Sequence, residues 1–148
     1  MTQIEEERPA SASGRVVYTA RTHTTGGRER GQSRSSDGRL DVKLSLPGSS
    51  QVGTNPEQLV AAGWSACFES AINLAARKKK ITLPADVSID AEVDLCLGDG
   101  GYFISARLKI SLPGIERDAA LSLVEHADEL CPYSKAMRGN VDVTFNLV

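Results

Sequence analysis

One long apolar segment constrains the fold of this 148-residue chain more than any other feature. Residues 59–76 are almost all apolar or small, and start signals precede them. Asn55 is a favoured N-cap residue, and Pro56 suits the first helical position. The pattern predicts a helix that starts at Pro56 and could run to Lys78–Lys80. A helix that is apolar around most of its circumference is typically buried, so other elements must pack against all its sides.

Alternating apolar and polar residues predict strands before and after this helix. The period-two runs lie at residues 40–46, 87–95, 104–110 and 141–147, and residues 16–20 are expected to begin a first strand. The glycine-rich turn at residues 98–101 separates the runs at 87–95 and 104–110, which predicts an antiparallel hairpin. The Gly-rich and Arg-rich residues 26–38 are expected to form a loop.

Two further helices are predicted near the end of the chain. Residues 117–130 have an amphipathic pattern, and Pro132 fits the start of a short helix that Gly139 would end. The elements together indicate an α+β fold with antiparallel strands and one buried helix. One small sheet covers only one side of that helix, so a partner subunit is expected to supply the remaining cover.

Size and charge exclude several classes of protein. A chain of 148 residues fits one domain, and we expect a flexible tail at residues 1–14 and a single domain at 15–148. The net charge of −2 creates no long-range field for nucleic acid or an anionic membrane. No apolar run is expected to span a bilayer, and the three cysteines lack zinc-site spacing. Since no signal peptide is recognisable, the expected compartment is the cytoplasm, where thiols stay reduced.

Two cysteines stand in settings that a plain core does not require. Cys67 is embedded in the apolar helix, and Cys131 directly precedes Pro132 at a helix break. Such a pair suggests thiol redox chemistry, in which one sulfur attacks and the other resolves. Considered singly, Cys67 could also be a small buried core residue without a chemical role. Cys131 could likewise be a helix C-cap residue whose thiol has no function. Cys96, in a strand or at its end, is interpreted as inert.

A reactive Cys67 would need a nearby cation, because burial among apolar groups raises the pKa of a thiol. Arg28 is a candidate if the Gly-rich loop folds over the site. Glu57, in the first helical turn, could hold that arginine by a bidentate ion pair. The alternative is that Arg28 and Glu57 are ordinary surface charges.

The two histidines leave a second class of enzyme possible, the cysteine-dependent hydrolases. A cysteine-dependent hydrolase needs a histidine base oriented toward its nucleophile. His23 follows the first predicted strand, and His126 lies on the amphipathic helix. Neither belongs to a known hydrolase signature, so surface or packing roles are the better interpretation of both.

Two motifs are specific enough to indicate a family: residues 54–68 and Cys131-Pro132-Tyr133-Ser134. With them, the chain resembles the organic hydroperoxide resistance proteins of the OsmC-like (osmotically inducible protein C) superfamily. The resemblance implies an OsmC-like fold with antiparallel sheets around a central helix, in an intertwined homodimer with active sites at the subunit interface. Weaker matching stretches, which extend the resemblance over nearly all of residues 16–148, are residues 24–28, 35–38, 40–44, 83–86, 112–114 and 138–140.

The resemblance also implies an activity, that of a thiol peroxidase reducing alkyl and lipid hydroperoxides to alcohols in antioxidant defence. By matched position, Cys67 is the peroxidatic cysteine and Cys131 the resolving one. Arg28 corresponds to the arginine that activates the thiolate, and Glu57 to the acid that orients it. Since the loop also holds Arg30 and Arg34, which arginine pairs with Glu57 is left open.

The remaining expectations concern ligands and alternatives. Trp64 and Phe68 are expected to line an apolar substrate pocket that favours alkyl peroxides over hydrogen peroxide. No metal and no bound organic cofactor is expected, and a dihydrolipoyl group on a carrier protein, or another dithiol, is the implied external reductant. The alternatives are an OsmC-branch peroxidase with a broader peroxide range, a cysteine-dependent hydrolase, and a non-catalytic binder of hydrophobic ligands or redox sensor that forms the disulfide without cycling.

Overall fold

A computed structural model describes residues 14–148 of the chain. The predicted flexible tail, residues 1–14, lies outside the described residues except for Gly14. Two compact units divide the chain, the first ending at Gly53 and the second comprising Thr54–Val148. The single domain expected at residues 15–148 stays a prediction.

The first unit is a small antiparallel sheet with strand order β1-β2-β3. In register, Thr24 of β1 lies opposite Ser33 of β2, which in turn lies opposite Val42 of β3. The bounds of its elements are β1 Thr22–Thr25, α1 Gly27–Arg30, β2 Gln32–Ser35 and β3 Asp41–Lys43.

Three expectations for the first unit are wrong. Residues 16–20 form no strand; they are exposed, and pairing begins only at Thr22, because residues that favour strands still leave the backbone unpaired where no strand lies beside them. Residues 26–38 are not one loop but include α1 and β2. The strand β2 lacks apolar residues and forms because β1 and β3 pair with both its edges, so hydrophobic alternation could not find it. The strand expected at residues 40–46 is shortened to Asp41–Lys43.

The second unit contains a three-stranded sheet and three helices. The strands β4 and β5 form the predicted antiparallel hairpin, and the strand order is β4-β5-β6. The expectation of purely antiparallel strands is wrong for β6, which pairs parallel to β5 because α3 and α4 carry the chain back between them. The bounds are α2 Pro56–Lys78, β4 Ser88–Gly98, β5 Gly101–Ser111, α3 Arg117–Leu130, α4 Pro132–Met137 and β6 Asp142–Leu147.

The helix α2 begins as the sequence predicts and packs on the sheet. The Oδ1 atom of Asn55 accepts a hydrogen bond of 2.9 Å from the Gln58 backbone N–H, which caps the helix. Midway along, the ring of Phe68 stacks on Phe145 of β6 at 4.9 Å between centroids. The buried residues of α2 recur at helical spacing and form one stripe; they are Trp64, Phe68, Ala71, Ile72, Ala75 and Ala76.

The opposite face of α2 is exposed in the single chain, so burial on all sides does not hold for the chain by itself. Ala62, Ala66, Ser70 and Asn73 lie on this face. Their small size suits close approach of another surface. Cover by a partner subunit stays a prediction.

The helix α2 also corrects an expectation about membranes. By length and composition it is long and apolar enough to cross a bilayer, contrary to the sequence-based expectation. The core helix of a soluble protein passes the same test, and 33% of the most apolar window of α2 is buried inside the structure. The feature is therefore weak support for a membrane span.

Candidate functional site

The structure brings two of the three cysteines together. The Cys131 thiol donates a hydrogen bond to the sulfur of Cys67, with 3.5 Å between the Sγ atoms. Both cysteines are free thiols, as is Cys96. Cys131 is fully buried, whereas Cys67 is partly exposed. Two sulfurs 64 residues apart in sequence are therefore within reach of one another.

The chain places Cys131 at the junction of two helices. It is both the C-cap of α3 and the N-cap of α4, with an extended backbone conformation at φ −69° and ψ 120°. Its backbone N–H donates to the Ala127 carbonyl at 2.8 Å, and its carbonyl accepts from the Lys135 N–H at 3.0 Å. Pro132 has no N–H to continue α3, so the chain turns here and the sulfur meets α2.

The surroundings of Cys67 favour its neutral thiol. Burial is the main cause that raises the pKa of this thiol, and the adjacent Cys131 raises it further. A backbone hydrogen bond from Tyr133 acts in the opposite direction. Since a thiolate is the reactive form, a positive group beside Cys67 would favour its reaction at neutral pH.

Sequence reasoning missed the contacts that dock α4 on α2. A Cβ atom built on Gly63 would lie 2.5 Å from the Tyr133 Oη and 3.0 Å from its Cζ, so the tyrosine ring rests directly on this glycine. The indole N–H of Trp64 donates to the Ser134 hydroxyl at 3.1 Å, within the core. One signal could have pointed here, since a glycine inside a helix commonly marks a close approach.

The two expected pocket residues lie in the core. Trp64 and Phe68 are fully buried in the chain. Their contacts with Ser134 and Phe145 are packing contacts within the second unit. A role in lining a substrate pocket stays a prediction for both.

The charged residues expected at the site lie on separate elements. Arg28 and Arg30 are on the short helix α1 instead of a loop, and Glu57 is in the first turn of α2, as predicted. Arg34 lies on β2 with its Nε 3.7 Å from the Oδ2 of Asp41, an exposed pair within its own sheet. The pairing of Arg28 with Glu57 stays a prediction.

The two histidines lie on other elements than Cys67. His23 is exposed on β1, at a cleft of about 500 Å³ in the first unit, and His126 is half-buried on α3. Within residues 14–148, no hydrogen bond joins Cys67 or Cys131 to a histidine. No group of three or more His, Cys, Asp or Glu side chains in that range could hold a metal ion. The Cys–His pair of a hydrolase is thus not formed among the described residues.

Known proteins are similar to this chain in sequence and in fold. A family model described as OsmC-like protein matches residues 47–146. The organic hydroperoxide resistance protein of Xanthomonas axonopodis pv. citri is 47% identical over 137 residues, which cover 90% of this chain and 96% of that protein. The crystal structure of the organic hydroperoxide resistance protein OhrB of Bacillus subtilis matches with a TM-score of 0.84 at 41% identity, covering 90% of this chain and 100% of that one. An organic hydroperoxide resistance protein from Legionella pneumophila matches with a TM-score of 0.83 at 42% identity, covering 90% and 98%. The chain therefore belongs to the organic hydroperoxide resistance proteins of the OsmC-like family.

Proposed function

We propose that this protein reduces organic hydroperoxides to alcohols with Cys67 as the attacking thiol and Cys131 as the resolving thiol. The supporting observation is the distance of 3.5 Å between two free sulfurs that differ in exposure. Membership of the organic hydroperoxide resistance family supports the peroxide as substrate class.

Exposure supports this assignment of the two roles. A peroxide diffusing from solvent can reach a partly exposed sulfur more easily than a fully buried one. Cys67 is the partly exposed member, and Cys131 is fully buried beside it. Cys131 is thus shielded from the peroxide yet adjacent to the sulfur that the peroxide oxidises.

The first step oxidises Cys67. Its thiolate attacks the terminal oxygen of ROOH, an S–O bond forms, and the O–O bond breaks. The departing alkoxide takes up a proton and leaves as the alcohol. The peroxide is reduced by two electrons, and Cys67 becomes a sulfenic acid.

The second step joins the two cysteines. The Cys131 sulfur attacks the Cys67 sulfur, an S–S bond forms, and hydroxide leaves and takes the thiol proton as water. A disulfide bond is about 2.05 Å long, so the sulfurs must approach by about 1.5 Å from their separation in the reduced pair. An external dithiol then reduces the disulfide by exchange. We propose a dihydrolipoyl group on a carrier protein as this reductant. We also propose that the protein is cytoplasmic and forms a homodimer.

In this mechanism, Arg28 stabilises the Cys67 thiolate and Glu57 orients Arg28. Burial raises the pKa of the Cys67 thiol, and a guanidinium held by a carboxylate beside it would lower that pKa. Arg28→Ala should therefore move the midpoint of the pH–rate profile for the peroxide reaction to higher pH. Arg34→Ala is a suitable control because Arg34 lies beside Asp41. An unchanged midpoint in Arg28→Ala would remove Arg28 from this role.

The apolar residues around Cys67 set the expected selectivity. If Trp64 and Phe68 border the substrate, alkyl hydroperoxides should react faster than hydrogen peroxide. Second-order rate constants for tert-butyl hydroperoxide and hydrogen peroxide test this. Equal rates, or a faster reaction of hydrogen peroxide, would contradict it.

Cysteine variants test the function as a whole. Cys67→Ser should abolish turnover of an alkyl hydroperoxide with dihydrolipoamide, and Cys131→Ser should allow one oxidation of Cys67 and then stall or overoxidise. Cys96→Ser is the matched control, since the Cys96 sulfur contacts the Ser105 hydroxyl at 3.7 Å instead of the thiol pair. Full turnover by Cys67→Ser would overturn the proposal.

A further inference from the structure

A buried hydrogen bond lies beside the thiol pair and joins the same two elements. Trp64 is three residues before Cys67 on α2, and Ser134 is three residues after Cys131. The contact between Trp64 and Ser134 therefore lies about one helical turn from the sulfurs, roughly 4.5 Å along α2. The two segments are antiparallel where they meet. Cys67 contacts Cys131, and one helical turn away Trp64 contacts Ser134.

The local hydrogen bonds of Cys131 do not fix its distance to α2. They run to Ala127 in α3 and to Lys135 in α4. The Trp64–Ser134 hydrogen bond of 3.1 Å joins a side chain of α2 directly to a side chain of α4. A helix of six residues has little stability of its own, so its position depends on such contacts.

Burial makes this bond costly to break. Trp64 has no exposed surface, and Ser134 is 3% exposed. If α4 slid along α2, the indole N–H would lose its partner inside the core, where water cannot replace it. The bond thus opposes the displacement that would separate the sulfurs.

We propose that Trp64 and Ser134 are positioning residues for disulfide formation, because their buried hydrogen bond sets the distance between the Cys67 and Cys131 sulfurs. This inference rests on the proposed function and assigns a role to the hydrogen bond between Trp64 and Ser134. The bond acts on the second chemical step, since attack of Cys67 on the peroxide does not involve Cys131.

Single-turnover measurements separate the two steps. The reduced full-length protein is mixed with one equivalent of tert-butyl hydroperoxide, and dimedone trapping with mass spectrometry follows sulfenic acid and disulfide over time. In Ser134→Ala, oxidation of Cys67 should keep its rate, while conversion of the sulfenic acid to the disulfide should be on the order of tenfold slower. Sulfenic acid should therefore accumulate. Ser134→Thr, which keeps the hydroxyl, should restore most of the rate.

Further variants guard against a merely structural effect. Trp64→Phe removes the N–H and keeps an aromatic ring, so it should also slow the second step. The double variant should be no slower than the slower single variant, because both remove the same bond. Ser65→Ala is the matched control, as the Ser65 hydroxyl bonds only to carbonyls of its own helix, at 2.7 Å to Ala61 and 3.2 Å to Ala62.

The outcomes are distinguishable. Disulfide formation at the wild-type rate in a folded Ser134→Ala would overturn the positioning role and leave the proposed function intact. If Ser134→Ala does not fold, the same result in Trp64→Phe overturns it. Absence of both sulfenic acid and disulfide in the wild-type protein would instead overturn the proposed function.

Discussion

At the scale of single residues, the β4–β5 hairpin carries a charge network on its outer face. The Arg107 guanidinium contacts Asp94 through two nitrogens, at 2.6 and 2.9 Å, and Glu92 through Nε at 2.7 Å. Lys109 adds a contact of 2.6 Å to Glu92. The hydrogen bond from Arg107 is the main cause that lowers the pKa of Asp94 to about 2. All four side chains are about 40% exposed, which limits what each pair contributes to stability.

The lowered pKa of Asp94 predicts an effect on acid stability. Because the folded-state pKa lies below the ordinary value of 3.8, the contribution of this carboxylate is complete above that value and is lost as pH falls through about 2. Asp94→Asn should lower the free energy of unfolding at neutral pH, and its difference from the wild type should shrink between about pH 4 and pH 2. Urea unfolding at a series of pH values measures this. Asp99→Asn, in the hairpin turn, is the control. A difference that is constant with pH would contradict the assignment.

At the scale of elements, the contact between α2 and α4 is built from a glycine and a tyrosine as well as the buried hydrogen bond. Gly63 lies within α2, where glycine costs about 1 kcal/mol relative to alanine. The chain keeps it where the Tyr133 ring lies against the helix backbone. Because Tyr133 also reaches Cys67 through its backbone, the close approach of these two elements helps to form the site.

This contact predicts a change of sign in a double-mutant cycle. Gly63→Ala should destabilise the wild type by about 1 kcal/mol, since the added methyl group would lie 2.5 Å from the Tyr133 Oη and 3.0 Å from its Cζ. In a Tyr133→Ala background the same change should stabilise by about 0.5–1 kcal/mol through helix propensity. Equilibrium unfolding in urea gives all four free energies. An equal effect of Gly63→Ala in both backgrounds would show that the ring does not lie on this glycine.

The sequence predicts elements well where their signals are local. The helices α2 and α3 and the β4–β5 hairpin follow from caps, turns and periodicity, and the structure confirms them. The hairpin strands run closer to the turn than the predicted 87–95 and 104–110, to Ser88–Gly98 and Gly101–Ser111. The direction of β6 depends on how α3 and α4 return the chain, which no local pattern in β6 encodes. The strand β2 likewise owes its form to neighbours on both edges.

The candidate site was predictable to a similar degree. The helix break at Pro132 and the family motifs pointed to Cys67 and Cys131, and the structure places their sulfurs side by side. The contributions of Tyr133 and Ser134 depend on how α4 docks on α2, which sequence spacing does not reveal.

At the scale of the whole molecule, the exposed face of α2 is the feature that bears on assembly. Its small residues lie opposite the buried stripe and have no cover within the single chain. We expect a second copy of the chain to cover this face. Wild-type protein should then sediment with about twice the chain mass of 15.8 kDa.

A charge placed on this face tests that expectation. Ala66 is exposed, so Ala66→Glu should leave a monomer folded but should prevent two copies from burying this face. Analytical ultracentrifugation should show the variant at the mass of one chain. Glu125→Lys, at an exposed position of α3, is the control and should keep the dimer. A monomeric wild type, or a dimeric Ala66→Glu, would contradict assembly through this face.

The central claim is that Cys67 and Cys131 form a redox pair, and peptide mapping after oxidation tests it most directly. Reduced protein is treated with one equivalent of tert-butyl hydroperoxide, alkylated, digested without reductant and analysed by mass spectrometry. We predict a disulfide between Cys67 and Cys131 of the same chain, with Cys96 recovered as an alkylated free thiol. Recovery of Cys67 and Cys131 as free thiols, or a disulfide that involves Cys96, would contradict the account.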